Sequence, residues 1–177
     1  TNFNFGFCQD ENLNQKLNST IKAYEKVYGF SGTIKVVINN NNAFEKSYGF
    51  ANRSFEIKNT PGTRFSINSI SKTFTATAIL ILVEEGRIDI NAPVTRYIPG
   101  LKTSWADSIT VHHLLTHTSG LSRESGIQPH EELTFKEQVK LVEKQTLLFT
   151  PGERYEYSNA GFILLGSIIE NVSGMSY

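Results

Sequence analysis

Residues 66–83 read SINSISKTFTATAILILV, and Lys72 is the only charged residue among them. Its apolar side chains surround a helix on every side, and Gly86 follows where such a helix would stop. These apolar residues are Phe74, Ala76, Ala78, Ile79, Leu80, Ile81, Leu82 and Val83. The pattern predicts a helix from about Ser69 to Glu85 that is buried on its whole circumference and lies at the centre of the fold.

The only charged residue of this stretch, Lys72, lies one helical turn after Ser69, so an amine and a hydroxyl share one helix face. The helix dipole and burial both disfavour a charged amine there. A neutral Lys72 could take the hydroxyl proton, while free backbone N–H groups at the helix start stabilise negative charge on a bound carbonyl oxygen. Ser-x-x-Lys alone is common, however, and a capping Ser69 beside a solvated Lys72 explains the isolated motif better.

The rest of the sequence predicts one helix, then an antiparallel hairpin of two strands, and after that helices only. Apolar residues recur every three or four positions from Leu13 up to Gly29, which indicates a helix. The other predicted elements are strands 32–38 and 43–50 around the polar turn 39–42, a helix 110–117 ended by Gly120, and helices 134–145 and 158–172 separated by a turn at 151–152. No repeat or linker divides the chain, so we predict one domain.

Composition excludes several classes of function. The chain has 177 residues, 39% of them hydrophobic, which suffices for a packed core. Seventeen basic residues balance seventeen acidic ones, so no basic field favours nucleic acid or anionic lipid. The single Cys8 cannot form an internal disulfide, and no apolar run approaches the length of a transmembrane segment. We expect neither a nucleic-acid partner nor a membrane span.

Four separated segments carry a family resemblance. They are residues 65–76 (FSINSISKTFTA), 86–89 (GRID), 109–121 (ITVHHLLTHTSGL) and 151–159 (PGERYEYSN). In this order they resemble the penicillin-recognising serine hydrolases, especially the class C β-lactamase and DD-peptidase branch, from about Gly29 to the last residue. The resemblance implies an α/β fold, α+β in strict layer terms, of the β-lactamase/transpeptidase type, with an antiparallel sheet flanked by a helical region.

The same resemblance implies a role for each matched residue. Ser69 corresponds to the acylated nucleophile and Lys72 to the amine that helps remove its proton. Tyr157 corresponds to the tyrosine of the Tyr-x-Asn motif, which shuttles a proton to the leaving group, and Asn159 to the residue that contacts the substrate amide and Lys72. No metal or organic cofactor is implied. The expected substrate is a small molecule or peptide with a reactive carbonyl, and the expected location is the bacterial periplasm or exterior.

Two departures from the family pattern have consequences. Asn68 stands where the family commonly has glycine, although asparagine tolerates unusual backbone angles better than most residues. The third motif, Lys or His followed by a small residue and glycine, has no suitably placed counterpart. We therefore expect residues 1–177 to be the amino-terminal part of a single larger catalytic domain, incomplete at its carboxyl end. Such a chain would be poorly active alone and would depend on a complementing C-terminal segment or on self-association.

Other functions stay open at this point. The same nucleophile set serves carboxylesterases and D-aminopeptidases, and a non-catalytic scaffold or binding relative would also fit Asn68 and the missing motif. His113 and His117 lie one helical turn apart near His112, but no His-Glu-x-x-His pattern supplies a zinc site. Core or capping roles are therefore favoured for these histidines.

Overall fold

A computed structural model describes residues 11–124, 126–127 and 133–177 of the chain. The irregular lead-in expected for residues 1–10, including Cys8, lies outside the described residues. The described chain forms two compact units, one that ends at Ser66 and one that begins at Ile67.

The first unit contains the predicted helix and hairpin. Helix α1 (Glu11–Tyr28) ends before Gly29, whose φ of 67° stops it as expected. Strands β1 (Gly32–Ile38) and β2 (Asn41–Tyr48) pair antiparallel. Between them Asn39 and Asn40 both have positive φ, which matches the twist of a two-residue hairpin turn. The core of this unit consists of Ile21, Phe44 and Tyr48.

A second, shorter strand pair was not predicted. Strand β3 (Phe50–Asn52) pairs with β4 (Ile57–Lys58), so the expectation that the second strand runs on to Phe50 is wrong at its end. The physical reason is Gly49, whose φ of 64° breaks the strand after Tyr48. A side chain there would meet Ser31 at 2.6 Å, so the position also demands the absence of a Cβ.

The second unit is helical. A 3₁₀ turn (Asn68–Ile70) leads directly into α2 (Ser71–Glu84), so the α-helix begins two residues later than predicted. A second 3₁₀ turn spans Val94–Arg96. The remaining helices are α3 (Val111–Leu115), α4 (Phe135–Val142) and α5 (Asn159–Ser173). Each lies within a predicted helix or extends it by one residue.

The centre of the second unit is α5 and not α2. Helix α5 packs against α2, α3 and α4, and it contains eight buried residues from Ala160 to Ile168. In α2 only Thr75, Ile79 and Leu82 are buried, whereas Phe74 is 68% exposed. The prediction that α2 is buried on its whole circumference is therefore wrong for the described chain. An all-round apolar helix is buried on every side only if neighbours surround it, and α2 packs mainly along one side.

Helix α3 is shorter than predicted because the chain leaves the helix before Gly120. His117 already has a left-handed backbone, with a φ of 57°. Gly120, at a φ of 80°, is required for a different reason, because a Cβ would meet the carbonyl oxygen of Phe149 at 2.4 Å. Across the described residues, none of the helices combines the length and the hydrophobicity needed to cross a bilayer.

Candidate active site

Ser69 lies in the tight turn before α2, and Asn68 directly before it has a φ of 45°. This is the left-handed region, which asparagine enters more readily than most side chains. The expectation that Asn68 tolerates the turn in place of glycine is confirmed. Ser69 is exposed, and no side chain in the described part of the protein caps the start of α2.

Lys72 points back along α2 toward Ser69. Its Nζ donates to Ser69 Oγ at 3.3 Å and to Asn159 Oδ1 at 2.8 Å. Nζ also lies 5.5 Å from the centre of the Phe162 ring. The side chain is half-buried, so the alternative in which Lys72 merely extends into solvent does not describe this structure.

The other two predicted residues come from the start of α5. Ser158 is the N-cap, because its hydroxyl accepts from the Gly161 N–H at 3.0 Å and donates to the Ser122 carbonyl at 2.9 Å. This cap fixes Tyr157 and Asn159 on either side of it. The Tyr157 hydroxyl donates to Ser69 Oγ at 2.8 Å.

All four predicted site residues therefore lie within one hydrogen-bonded cluster. Ser69 Oγ accepts from both Lys72 and Tyr157, and Asn159 holds Lys72 from the other side. The starts of two helices, α2 and α5, meet at this cluster because the helices pack against each other. The arrangement places an exposed hydroxyl between two groups that can exchange its proton.

The electrostatics of the cluster act on Tyr157. Hydrogen bonding with Lys72, and then with Ser69, lowers the pKa of the Tyr157 phenol from its ordinary value of 10. The positive charges of Lys72 and Arg123 act in the same direction, and partial burial opposes them. The lowered pKa makes the phenolate more accessible, and a phenolate can act as a base.

Two residues that contact Tyr157, His117 and Arg123, were not predicted to belong to the site. The ring of His117 stacks on the Tyr157 ring, with centroids 4.5 Å apart and planes inclined at 29°. The Arg123 guanidinium lies 5.4 Å from the same ring centre, and the Arg123 carbonyl accepts from the Asn159 N–H at 3.2 Å. His117 belongs to a segment that carries the family resemblance, so a signal existed for it. Nothing in the sequence pattern singled out Arg123.

The histidines have local partners. His113 Nδ1 accepts from the Thr110 N–H at 3.2 Å and so completes the cap of α3. His117 Nδ1 accepts from the Ser158 N–H at 3.1 Å. These contacts agree with the core or capping roles favoured from the sequence. Over residues 11–124, 126–127 and 133–177, no group of three His, Cys, Asp or Glu side chains could hold a metal ion.

Comparison with known proteins identifies relatives of the whole helical unit and of the hairpin before it. The profile of the Beta-lactamase family matches residues 17–177. The Bacillus subtilis protein PbpX, whose name classes it with the penicillin-binding proteins, is 36% identical over 160 residues. That match covers 90% of this chain and 40% of PbpX.

Solved structures agree with the sequence matches. FmtA from Staphylococcus aureus superposes with a TM-score of 0.78 at 31% identity, and the match covers 90% of this chain and 44% of FmtA. A class C beta-lactamase superposes with a TM-score of 0.77 at 27% identity, covering 92% of this chain and 45% of that protein. The fold is thus the predicted α/β fold of β-lactamase/transpeptidase type. The chain spans less than half the length of each of these three relatives.

Proposed function

The chain belongs to the beta-lactamase family, a family of serine hydrolases, and we propose that Ser69 is its acylated nucleophile. One observation carries the proposal. Ser69 Oγ lies within hydrogen-bond distance of both Lys72 Nζ, at 3.3 Å, and Tyr157 Oη, at 2.8 Å. A weakly acidic serine hydroxyl needs an adjacent base to attack a carbonyl, and this geometry offers two candidates.

In the proposed reaction the Ser69 oxygen forms a bond to the carbonyl carbon of an amide, ester or β-lactam while its proton passes to the deprotonated form of Tyr157 or Lys72. The bond from that carbon to the leaving nitrogen or oxygen then breaks, and the proton passes to the leaving group. Water then attacks the acyl carbon and gives a proton to the same base, the bond from that carbon to Ser69 Oγ breaks, and the proton returns to Ser69 as the acid leaves. Each step moves one proton to or from the hydrogen-bonded cluster of Ser69, Lys72 and Tyr157.

Asn159 has a supporting role in this scheme. Its Oδ1 accepts from Lys72 at 2.8 Å, which orients the amine toward Ser69. Its amide N–H₂ remains a donor that suits a substrate carbonyl, because asparagine offers both a donor and an acceptor without a charge. The start of α2, which carries no side-chain cap among the described residues, is the proposed source of N–H donors to the developing oxyanion.

The substrate class stays broad in this proposal. β-Lactam hydrolysis and D-Ala-D-Ala peptidase chemistry use the same nucleophile set as carboxylesterases and D-aminopeptidases. These activities differ in the rate of deacylation, which depends on how water is placed in the pocket. We assign the protein to the bacterial periplasm or exterior because its named relatives include penicillin-binding proteins.

The 177-residue chain itself is proposed to be poorly active, because its sequence has no Lys-Thr-Gly or His-x-Gly third motif. Large apolar side chains of α2 are exposed in the described chain, Phe74 at 68% and Leu80 at 52%. These side chains fit the expectation that a complementing C-terminal segment, or a second copy, contacts the helical unit.

The test is covalent labelling of the protein at the length that its gene encodes, with a fluorescent penicillin and a fluorophosphonate. We expect stoichiometric labelling that disappears in Ser69→Ala and persists in Ser71→Ala, which removes a neighbouring hydroxyl of the same helix start. Labelling by the fluorophosphonate alone, with nitrophenyl esters turned over faster than cephalosporins, assigns the protein to the esterases. A folded protein that neither probe labels is the scaffold, and the proposal is then wrong.

A further inference from the structure

The His117 ring is packed into an aromatic cluster beside the proposed active site. Its centre lies 4.5 Å from the centre of the Tyr157 ring, on which it stacks. Its centre also lies 5.1 Å from the centre of the Phe162 ring, and the planes of the His117 and Phe162 rings are inclined at 32°. Tyr155 meets the same ring edge-on at 5.8 Å. Aromatic packing of this kind restricts the orientation of each ring, and here it restricts the ring whose hydroxyl contacts Ser69.

His117 also binds the main chain on both sides of Tyr157. The His117 carbonyl accepts from the N–H of Glu156 at 2.8 Å, and His117 Nδ1 accepts from the N–H of Ser158 at 3.1 Å. One residue thus binds the main chain before and after Tyr157 and stacks on its side chain. The left-handed backbone of His117, with a φ of 57°, turns the chain so that all three contacts form together.

The contact of His117 Nδ1 with the Ser158 N–H requires a neutral imidazole. Nδ1 accepts a hydrogen bond, so its proton must be on Nε2, whereas an imidazolium carries a proton on both nitrogens. Burial, and then the positive charge of Lys72, lower the pKa of His117 from 6.5. Among the described residues, the titratable or charged groups that face this ring are Lys72 from α2 and Tyr155 and Tyr157 from the segment before α5. The neutral form therefore predominates at neutral pH.

We propose that His117 is a positioning residue that holds the Tyr157 phenol against Ser69, an inference that rests on the proposed function. His117 acts only through Tyr157 and does not contact the substrate. Freeing the Tyr157 ring would lengthen its bonds with Lys72 and Ser69, which are the interactions that stabilise its phenolate. Misplacement of a catalytic group by about 1 Å can cost about 100-fold in rate.

Two substitutions separate the parts of this role. His117→Asn keeps a side-chain acceptor and tolerates a positive φ, but it removes the ring that stacks on Tyr157. His117→Phe keeps a ring but removes the acceptor for the Ser158 N–H. His112→Asn is the matched control, because His112 is an exposed histidine of α3, five residues before His117.

The experiment uses the protein at its gene-encoded length and has a readout independent of activity. Tyrosines are labelled with ¹³C at Cζ, the Tyr157 signal is assigned by its loss in Tyr157→Phe, and its titration is followed. We expect the pKa of Tyr157 to move back toward 10 in His117→Asn and to stay unchanged in His112→Asn. An unchanged Tyr157 titration in folded His117→Asn overturns the proposal, whatever the enzymatic activity.

Kinetics then connect this positioning to catalysis. We expect His117→Asn to lower the acylation rate constant by about 10- to 100-fold with little change in KM, and His117→Phe to lower it less. If the wild type is not acylated but the Tyr157 pKa moves as expected, the proposed function fails and the positioning role holds. If neither variant folds, ¹⁵N signals of the wild-type histidines decide, because an Nδ1–H tautomer of His117 contradicts the proposal.

Discussion

The proposed active site lies at the starts of helices α2 and α5, but the two helices differ in burial and in capping. Both are rich in apolar residues, but Leu164 of α5 is fully buried while Leu80 of α2 is 52% exposed. Helix α5 is capped by the Ser158 side chain, whereas none of the described side chains caps the 3₁₀ turn that leads into α2. The buried, capped helix α5 supports the candidate site, and the more exposed α2 directly follows the turn that contains the proposed nucleophile Ser69. An apolar composition therefore does not determine how deeply a helix is buried.

The largest expected effect tests whether α5 contributes chemistry as well as support. Tyr157→Phe removes the phenol hydroxyl and is expected to lower the acylation rate about 100- to 10,000-fold. In the wild type this rate should rise with pH and level off below pH 10, because the pKa of Tyr157 is lowered and its phenolate forms as pH rises. Stopped-flow acylation across pH 6–10 measures both.

The control for that substitution is Tyr155→Phe, because Tyr155 is an exposed tyrosine two residues away whose hydroxyl has no contact with Ser69 among the hydrogen bonds described above. It should keep both the rate and the rise with pH. A Tyr157→Phe variant with the same pH profile as the wild type would show that Lys72 alone serves as the base.

The next largest effect is a loss of stability, and it is expected to differ between leucine-to-alanine substitutions in α5 and in α2. Leu164→Ala should lower the free energy of unfolding by about 2–5 kcal/mol, because it leaves a cavity in the core. Leu80→Ala should change it by less than about 0.5 kcal/mol. Urea denaturation of the 177-residue chain measures both values. Equal losses would mean that α2 is covered as completely as α5 under the conditions of the experiment.

A smaller effect concerns the helix cap. Ser158→Ala removes the bonds to the Gly161 N–H and the Ser122 carbonyl, so we expect a loss of about 1–2 kcal/mol in stability. Ser71→Ala at the first residue of α2 should have almost no effect, because in the described part of the chain no side chain caps that helix start. Thermal melts of both variants test the contrast, and a Ser71→Ala loss as large as that of Ser158→Ala would contradict it.

The smallest effect concerns the turn before Ser69. Asn68→Gly should change the free energy of unfolding by less than about 1 kcal/mol and leave penicillin labelling intact, because glycine adopts the φ of 45° without strain. Labelling stoichiometry and a urea melt measure the two quantities. Loss of labelling would mean that the Asn68 side chain takes part in the site, and that its replacement of the family's usual glycine is functional.

The sequence predicted much of this arrangement because local rules decide it. Gly29 and Gly86 end helices where their positions suggested, and the one-turn spacing of Ser69 and Lys72 became a direct contact. The approach of Tyr157 and Asn159 to that pair was inferred only from family resemblance. No local rule brings together residues so distant in the chain.

What the sequence did not predict depends on tertiary packing. The number of neighbours around α2 cannot be read from its own residues, and so its burial was overestimated. The stacking of His117 on Tyr157 depends on a left-handed residue that is not glycine, a conformation that sequence patterns seldom signal. Arg123 contributes through its position beside the Tyr157 ring, and its charge alone did not distinguish it from other surface arginines.

The bond between Lys72 and Asn159 joins residues that are 87 positions apart. A ribosome that adds about 5–20 residues per second needs about 4–17 s to extend the chain from the first to the second. During that interval the nascent polypeptide carries its serine and lysine without the tyrosine and carboxamide. The four side chains of the candidate site can therefore meet only after the ribosome has reached the start of α5.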